Sequence, residues 1–159
     1  MGTRLWGGHL SQVLIDNGYS VYSSDLIDRG YGEVKDFLSC NDHFDGDILT
    51  NPPFKLAVNF IKHGMSLINN GNKICLFLKI QFLESKDRYE LFQQYPLKHL
   101  LVYSERQQCA MNADFEKYHA NTLCYAWYIF EKGYKGKADI DWIIEKSKKG
   151  LFNDEYNRQ

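Results

Sequence analysis

Asp47-Ile48-Leu49-Thr50-Asn51-Pro52-Pro53-Phe54 decides how this chain is read. The first four residues predict a buried strand, ended by prolines that lack the N–H a sheet ladder needs. Further on, Ala57, Phe60, Ile61, Gly64, Met65 and Ile68 recur at helical spacing, and Asn69-Asn70-Gly71-Asn72 closes that helix. Lys73 to Ile80 (KICLFLKI) is a near-continuous apolar run, the pattern of a strand covered on both faces. The unit is strand, helix, strand, with a side-chain amide displayed where the first strand stops.

The alternation extends both ways. His9 to Asn17 carries Leu10, Val13 and Leu14 ahead of Gly18, which predicts a short amphipathic helix. Tyr19 to Asp25 reads as a strand ending on a carboxylate, Gly30-Tyr31-Gly32 as a turn, and Val34 to Leu38 as a short strand. Glu84 to Gln94 predicts a helix stopped near Pro96, and Leu100 to Ser104 and Thr122 to Glu131 predict two closing strands. The result is an α/β domain with a mostly parallel sheet. The closing strands, joined by a loop rather than a helix, are expected to form an antiparallel hairpin at one edge. A chain of 159 residues makes one domain, placed at 1–146, with the polar 147–159 as a frayed tail.

Composition narrows the classes. Hydrophobic and charged fractions of 44% and 25% are those of an ordinary globular protein. A formal net charge of -1 excludes a uniformly basic nucleic-acid binder but leaves room for a local basic groove. Most of the aromatic residues belong to the core, and a few exposed ones suit base stacking. Cys40, Cys75, Cys109 and Cys124 form no C-x-x-C pair; Cys75 and Cys124 lie in apolar runs and read as reduced core thiols of an intracellular protein. His9, His43, His63, His99 and His119 show no metal-ligand spacing. No apolar run approaches the roughly 20 residues of a membrane span, and no signal-peptide core opens the chain. The expected location is the cytoplasm.

Open α/β sheets bind ligands at the carboxyl ends of their strands. Asp25, Asp36 and Asn51 all fall at or just beyond such ends.

Asn51-Pro52-Pro53-Phe54 resembles the N-P-P-F/Y motif of S-adenosylmethionine-dependent methyltransferases that modify amino groups, above all the adenine-N6 enzymes acting on DNA. The run from Asp25 to Gly32 (DLIDRGYG), Asp36-Phe37-Leu38, Leu78 to Glu84 (LKIQFLE) and Tyr125 to Gly136 (YAWYIFEKGYKG) are similar to small phage- or prophage-type adenine-methyltransferase-like proteins. The likeness covers roughly residues 8–143.

The resemblance implies a Rossmann-like class I methyltransferase sheet and S-adenosylmethionine as cofactor. It implies that Asp25, with Leu26 beside it, accepts hydrogen bonds from the donor's ribose. Asp36 and Phe37 would hold the donor adenine, and Gly8 would end the glycine-rich loop. Asn51 and Pro52 would accept the two N–H bonds of an exocyclic amine, pulling its nitrogen towards tetrahedral geometry so that the lone pair faces the methyl group. Pro53 would hold the backbone, and Phe54 would stack on a base flipped out of duplex DNA. Related N-P-P-F/Y sites serve guanine N2 in RNA and protein glutamine, which makes these the alternative substrates.

One departure lies at the start. Family members open with a strand and a (D/E)-P-A-C-G-x-G loop; here only Met1-Gly2-Thr3-Arg4-Leu5-Trp6-Gly7 precedes Gly8-His9-Leu10-Ser11, with Trp6 at the first loop glycine. The expectation is a missing or rudimentary first strand in a truncated or degenerate N-terminus, a gap between the second and fourth strands, and weakened donor binding. A catalytically inactive remnant serving as a binding module is therefore a third reading. Between Ser104 and Asn121, Arg106, Lys117, Tyr118 and His119 would touch phosphate or base by analogy, with a solvated hairpin loop as the plainer alternative.

Overall fold

A computed structural model describes residues 2–3, 8–105 and 124–144. Its centre is the predicted strand–helix–strand unit: β5 (Ile48–Thr50), α2 (Ala57–Leu67) and β6 (Lys73–Lys79), with β5 and β6 parallel and Thr50 opposite Leu76. The Asp47 carboxylate accepts from Lys73 N–H at 2.8 Å, fastening the two strands at their start. Sheet growth continues through β7 (Leu97–Tyr103), β8 (Tyr125–Glu131) and β9 (Asp139–Ile143) in the order β5-β6-β8-β7-β9. Only β8 runs against the others.

The expected β7–β8 antiparallel pair forms, but β8 inserts between β6 and β7. The edge belongs to β9, a parallel strand that the periodicity did not reveal. Its apolar residues Ile140 and Trp142 remain largely exposed, so it lacks the apolar run of an interior strand.

The core lies on the face covered by α2 and α3 (Lys86–Gln94), where Ile74, Leu76, Tyr128 and Phe130 are fully buried against Phe60, Ile61 and Leu91. Gly64 lets α2 approach the sheet closely, because a Cβ there would run into Ile74 Cδ1. β6 departs from the expectation of two covered faces. Its burial alternates, with Cys75, Phe77 and Lys79 half-buried on the second face. There Phe77 stacks on Tyr125 at 5.0 Å and tilts against Trp127 at 5.4 Å, an aromatic layer that makes the strand look doubly covered in sequence.

The amino-terminal half is built from short pieces. The predicted Tyr19–Asp25 strand divides into β2 (Ser20–Val21) and β3 (Ser24–Asp25). β1 (Gly2–Thr3) pairs in parallel with β2, and β4 (Glu33–Val34) with β3. Of the expected first strand only Gly2–Thr3 lies among the described residues, and among those residues these two pairs are not hydrogen-bonded into the five-stranded sheet. The predicted Val34–Leu38 strand stops early because the Asp36 carboxylate accepts from Leu38 N–H and Ser39 Oγ, capping a 3₁₀ turn over Phe37–Ser39. Helix α1 (Gly8–Asp16) forms where expected, and its buried Ser11 hydroxyl lies 2.8 Å from that of Ser23.

The predicted tail from 147 lies outside the described residues. No helix among the described residues is long and apolar enough to cross a membrane.

Candidate active site

The Asn51-Pro52-Pro53-Phe54 turn leaves the carboxyl end of β5, and the parallel pairing with β6 sets it beside the end of that strand. Pro52 is buried and Asn51 exposed. The Pro53 carbonyl accepts from Leu56 N–H at 2.8 Å, turning the chain into α2. Among the described residues, neither the Asn51 side chain nor the Pro52 carbonyl has a hydrogen-bond partner. Two neighbouring acceptors, one on exposed Asn51 and one on buried Pro52, both unspent within the described fold, are what capture of an amine requires.

Phe54 is 37% exposed, and its ring meets Phe82 edge-to-face at 6.1 Å. Lys79 Nζ lies 5.6 Å from the Phe54 centroid and the Arg88 guanidinium 5.3 Å. Arg88 also donates to the carbonyls of Gln81 and Glu84, at 2.8 and 2.6 Å. Neither cation drew attention in the sequence. A lysine at a strand end and an arginine in a helix give no signal there, since it is the turn over Ile80–Leu83 that brings them to Phe54.

Beside this turn is a cavity of about 90 Å³ lined by Asp25, Leu26, Asp36, Phe37, Thr50 and Pro53, among others. Residues from three separate stretches of sequence therefore meet at one place, next to the proline turn. Phe37 is fixed by stacking on Phe60 at 4.9 Å and by an edge contact with the His63 ring at 5.3 Å. Gly32 makes the enclosure possible on the side of β3, since a Cβ there would stand 2.7 Å from the Ser23 carbonyl oxygen at a φ of +78°.

Asp25 is 5% exposed and both of its oxygens are engaged. Oδ1 accepts from Ile27 N–H at 3.1 Å, and Oδ2 from Arg29 Nε at 3.1 Å. Asp36 is likewise occupied by its capping bonds. Gly8 begins α1. Arg106, Lys117, Tyr118 and His119 lie outside the described residues. Among the described residues no group of three or more His, Cys, Asp and Glu could hold a metal. Cys124, expected in the core, is exposed, because β8 begins only at Tyr125.

No protein-family model matches the sequence, and no curated protein matches it. Solved structures do match. The chain superposes over 90% of its length on a Listeria monocytogenes protein assigned to the class I S-adenosylmethionine-dependent methyltransferases, with a TM-score of 0.57 at 12% identity. It covers 58% of that protein, little more than half. Magnesium protoporphyrin IX methyltransferase from Synechocystis, solved with bound S-adenosylmethionine, matches over 83% of this chain and 69% of its own, with a TM-score of 0.55 at 12% identity. The type IIG restriction endonuclease BpuSI matches over 82% of this chain and 22% of its own, with a TM-score of 0.53 at 11% identity.

The fold is the Rossmann-like fold of the class I methyltransferases. At such identities the likeness speaks for the fold alone, and function must be argued from the site.

Proposed function

We propose that this chain is a cytoplasmic S-adenosylmethionine-dependent methyltransferase that modifies the exocyclic amine of adenine in DNA. The observation that carries the reading is the unspent pair of acceptors on Asn51 and Pro52, placed beside the cavity lined by Asp25, Asp36 and Phe37. The residues present suit the donor in kind: buried Asp25 for a ribose diol, Leu26 and Phe37 for a flat heterocycle, and Asp36 for its amine, with Gly8 at the start of α1 completing the set. A cavity of about 90 Å³ is small beside the several hundred Å³ of most ligand sites, so the donor must extend beyond it.

S-adenosylmethionine, when bound, supplies an electrophilic methyl group. The protein's part is positional. Asn51 Oδ1 and the Pro52 carbonyl accept from the acceptor's NH₂ and turn its lone pair towards the methyl carbon, Pro53 holds the turn rigid, and Phe54 supports a base extruded from the duplex. Neither a covalent intermediate nor a strong base is needed. Guanine N2 in RNA and the amide of a protein glutamine present the same NH₂ pattern and are the competing acceptors.

A second reading has its own support. The engagement of both Asp25 oxygens fits a binding module with the same fold and no transfer activity.

Incubation with labelled donor and separate recovery of DNA, RNA and protein decides among these. Label on N6 of adenine is expected, lost by 100-fold or more in Asn51→Ala while donor affinity stays within about two-fold, as for removal of a transition-state dipole. Label in protein alone would end the DNA reading, and millimolar donor affinity with no transfer would favour the binding module.

A further inference from the structure

Phe54 carries two cations and no counter-ion. Lys79 is the last residue of β6, and its carbonyl and that of Ile80 both lie 3.1 Å from the Tyr128 hydroxyl, which pins the strand end from the core. From that fixed point the half-buried Lys79 side chain brings Nζ to 5.6 Å from the Phe54 centroid. Arg88 approaches the same ring and also lies 4.9 Å from the Phe82 centroid, while its NH1 is spent on two carbonyls. Among the described residues no carboxylate lies within 4.0 Å of either cation, whereas Lys35, Lys73 and Lys98 each have an acidic partner. Arg88 thus spends Nη1 on the turn and lays its guanidinium against the two rings. Lys79 has an ammonium group with spare donors beside the exposed aromatic face of Phe54, three residues on from Asn51 in the same turn.

An aromatic face flanked by an uncompensated ammonium matches a nucleotide in which the base lies on the ring and a backbone phosphate meets the cation. Free nucleobases and glutamine amides carry no phosphate of their own to meet this charge. We infer that Lys79 binds a backbone phosphate of the acceptor strand and so selects a nucleic-acid polymer over a free base or a protein amide. This rests on the amine-methylation reading of Asn51 and deepens it by assigning the acceptor class to a residue. Lys79 is a positioning residue: it holds the strand so that the base lies on Phe54 and its amine reaches Asn51.

The test is binding of a fluorescein-labelled, adenine-containing single-stranded DNA oligonucleotide by anisotropy across a salt series. The variants are Lys79→Gln and Lys79→Met, which remove the charge, and Lys79→Arg, which keeps it. Loss of one phosphate contact predicts several-fold weaker binding and a log–log salt slope shallower by about 0.7 in both neutral variants. Lys79→Arg should retain the slope, and melting temperatures should match the parent. Lys79→Met preserves apolar packing on Phe54, so a defect confined to Lys79→Gln would mean lost packing and would overturn the assignment. Unchanged affinity and slope in both neutral variants, with the parent binding normally, overturns the role of Lys79 and leaves amine methylation standing. A parent that does not bind the oligonucleotide, yet transfers methyl groups in an Asn51-dependent way to another acceptor, overturns the nucleic-acid assignment and Lys79 together.

Discussion

Arg29 Nε donates to Asp25 Oδ2 at 3.1 Å, joining a 35%-exposed guanidinium to an almost fully buried carboxylate on the wall of the cavity beside the proline turn. The carboxylate proposed to receive a ribose is thus already satisfied from within its own loop.

On the proposed reading, Arg29 competes with the donor ribose for this oxygen. Breaking a part-exposed ion pair costs at most about 1 kcal/mol, so Arg29→Gln should tighten donor binding roughly two- to five-fold with little change in melting temperature. Asp25→Asn removes a charge-assisted acceptor and should weaken binding by about ten-fold or more. Titration calorimetry with S-adenosylmethionine reads both. No response to Asp25→Asn would show that the donor does not use this carboxylate.

Helix α2 carries the proline turn at its amino end, and its seating on β6 depends on Gly64. A methyl group there runs into Ile74 Cδ1, and because Ile74 is fully buried its side chain has to shift within the core. Gly64→Ala should destabilise the fold by about 1–3 kcal/mol in urea denaturation, as overpacking does. Adding Ile74→Val, which removes the offending carbon, should recover part of that loss. Additive effects of the two changes would mean that Gly64 matters for some other reason.

At the opposite end of the sheet, the hydrogen bond from Lys98 at 2.5 Å holds the Glu131 carboxyl below its ordinary value of 4.5, with Lys73 adding to the effect at 3.8 Å. A carboxyl whose folded value is depressed stabilises the fold above its unfolded value, and that contribution disappears as pH falls through the folded value. Denaturation between pH 7 and pH 3 should thus show the parent more stable than Glu131→Gln at neutral pH, with the two converging below pH 4.5. Parallel curves over that range would remove Glu131 from the acid response.

The thiols should separate by environment. Burial, reinforced by the negative charge of Asp47, pushes the Cys75 thiol up to about 12, whereas Cys124 is exposed. Thiolate is the reactive form, so maleimide at pH 8 should label Cys124 rapidly and Cys75 only after unfolding. Peptide mass spectrometry distinguishes them. Fast native labelling of Cys75 would mean that its side of the sheet opens readily.

The central unit was legible in sequence because its signals are local. The helical repeat from Ala57 to Ile68 reports its buried face and the run KICLFLK reports a strand, and both elements form within a residue or two of their predicted limits, although the strand's second face is only half covered. The amino-terminal half was less legible. Strands of two residues carry too few side chains to show a period, and a single capping carboxylate, Asp36, converted an expected strand into a 3₁₀ turn. Strand β9 was invisible because it lies at an edge with most of its apolar side chains exposed. Of the site residues, the proline turn announced itself through chemistry that serves no structural purpose so well. Arg29, Lys79 and Arg88 did not, since a basic side chain far along the chain resembles any solvated one.

By itself, then, the sequence determined the alternation of strands and helices, the abrupt end of β5 on an amide and two prolines, and the polar and aromatic residue types of the turn that follows. These follow from hydrophobic period and backbone chemistry, which act between neighbours. Only the tertiary structure decided which residues share the site: that Asp25, Phe37 and Pro53 line one cavity, that Arg29 already fills the buried carboxylate, and that Lys79 and Arg88 converge on Phe54. The reason is physical. Parallel strands direct their carboxyl ends to the same side of the sheet however far apart they lie in the chain, and only folding sets which charges then come within reach of one another.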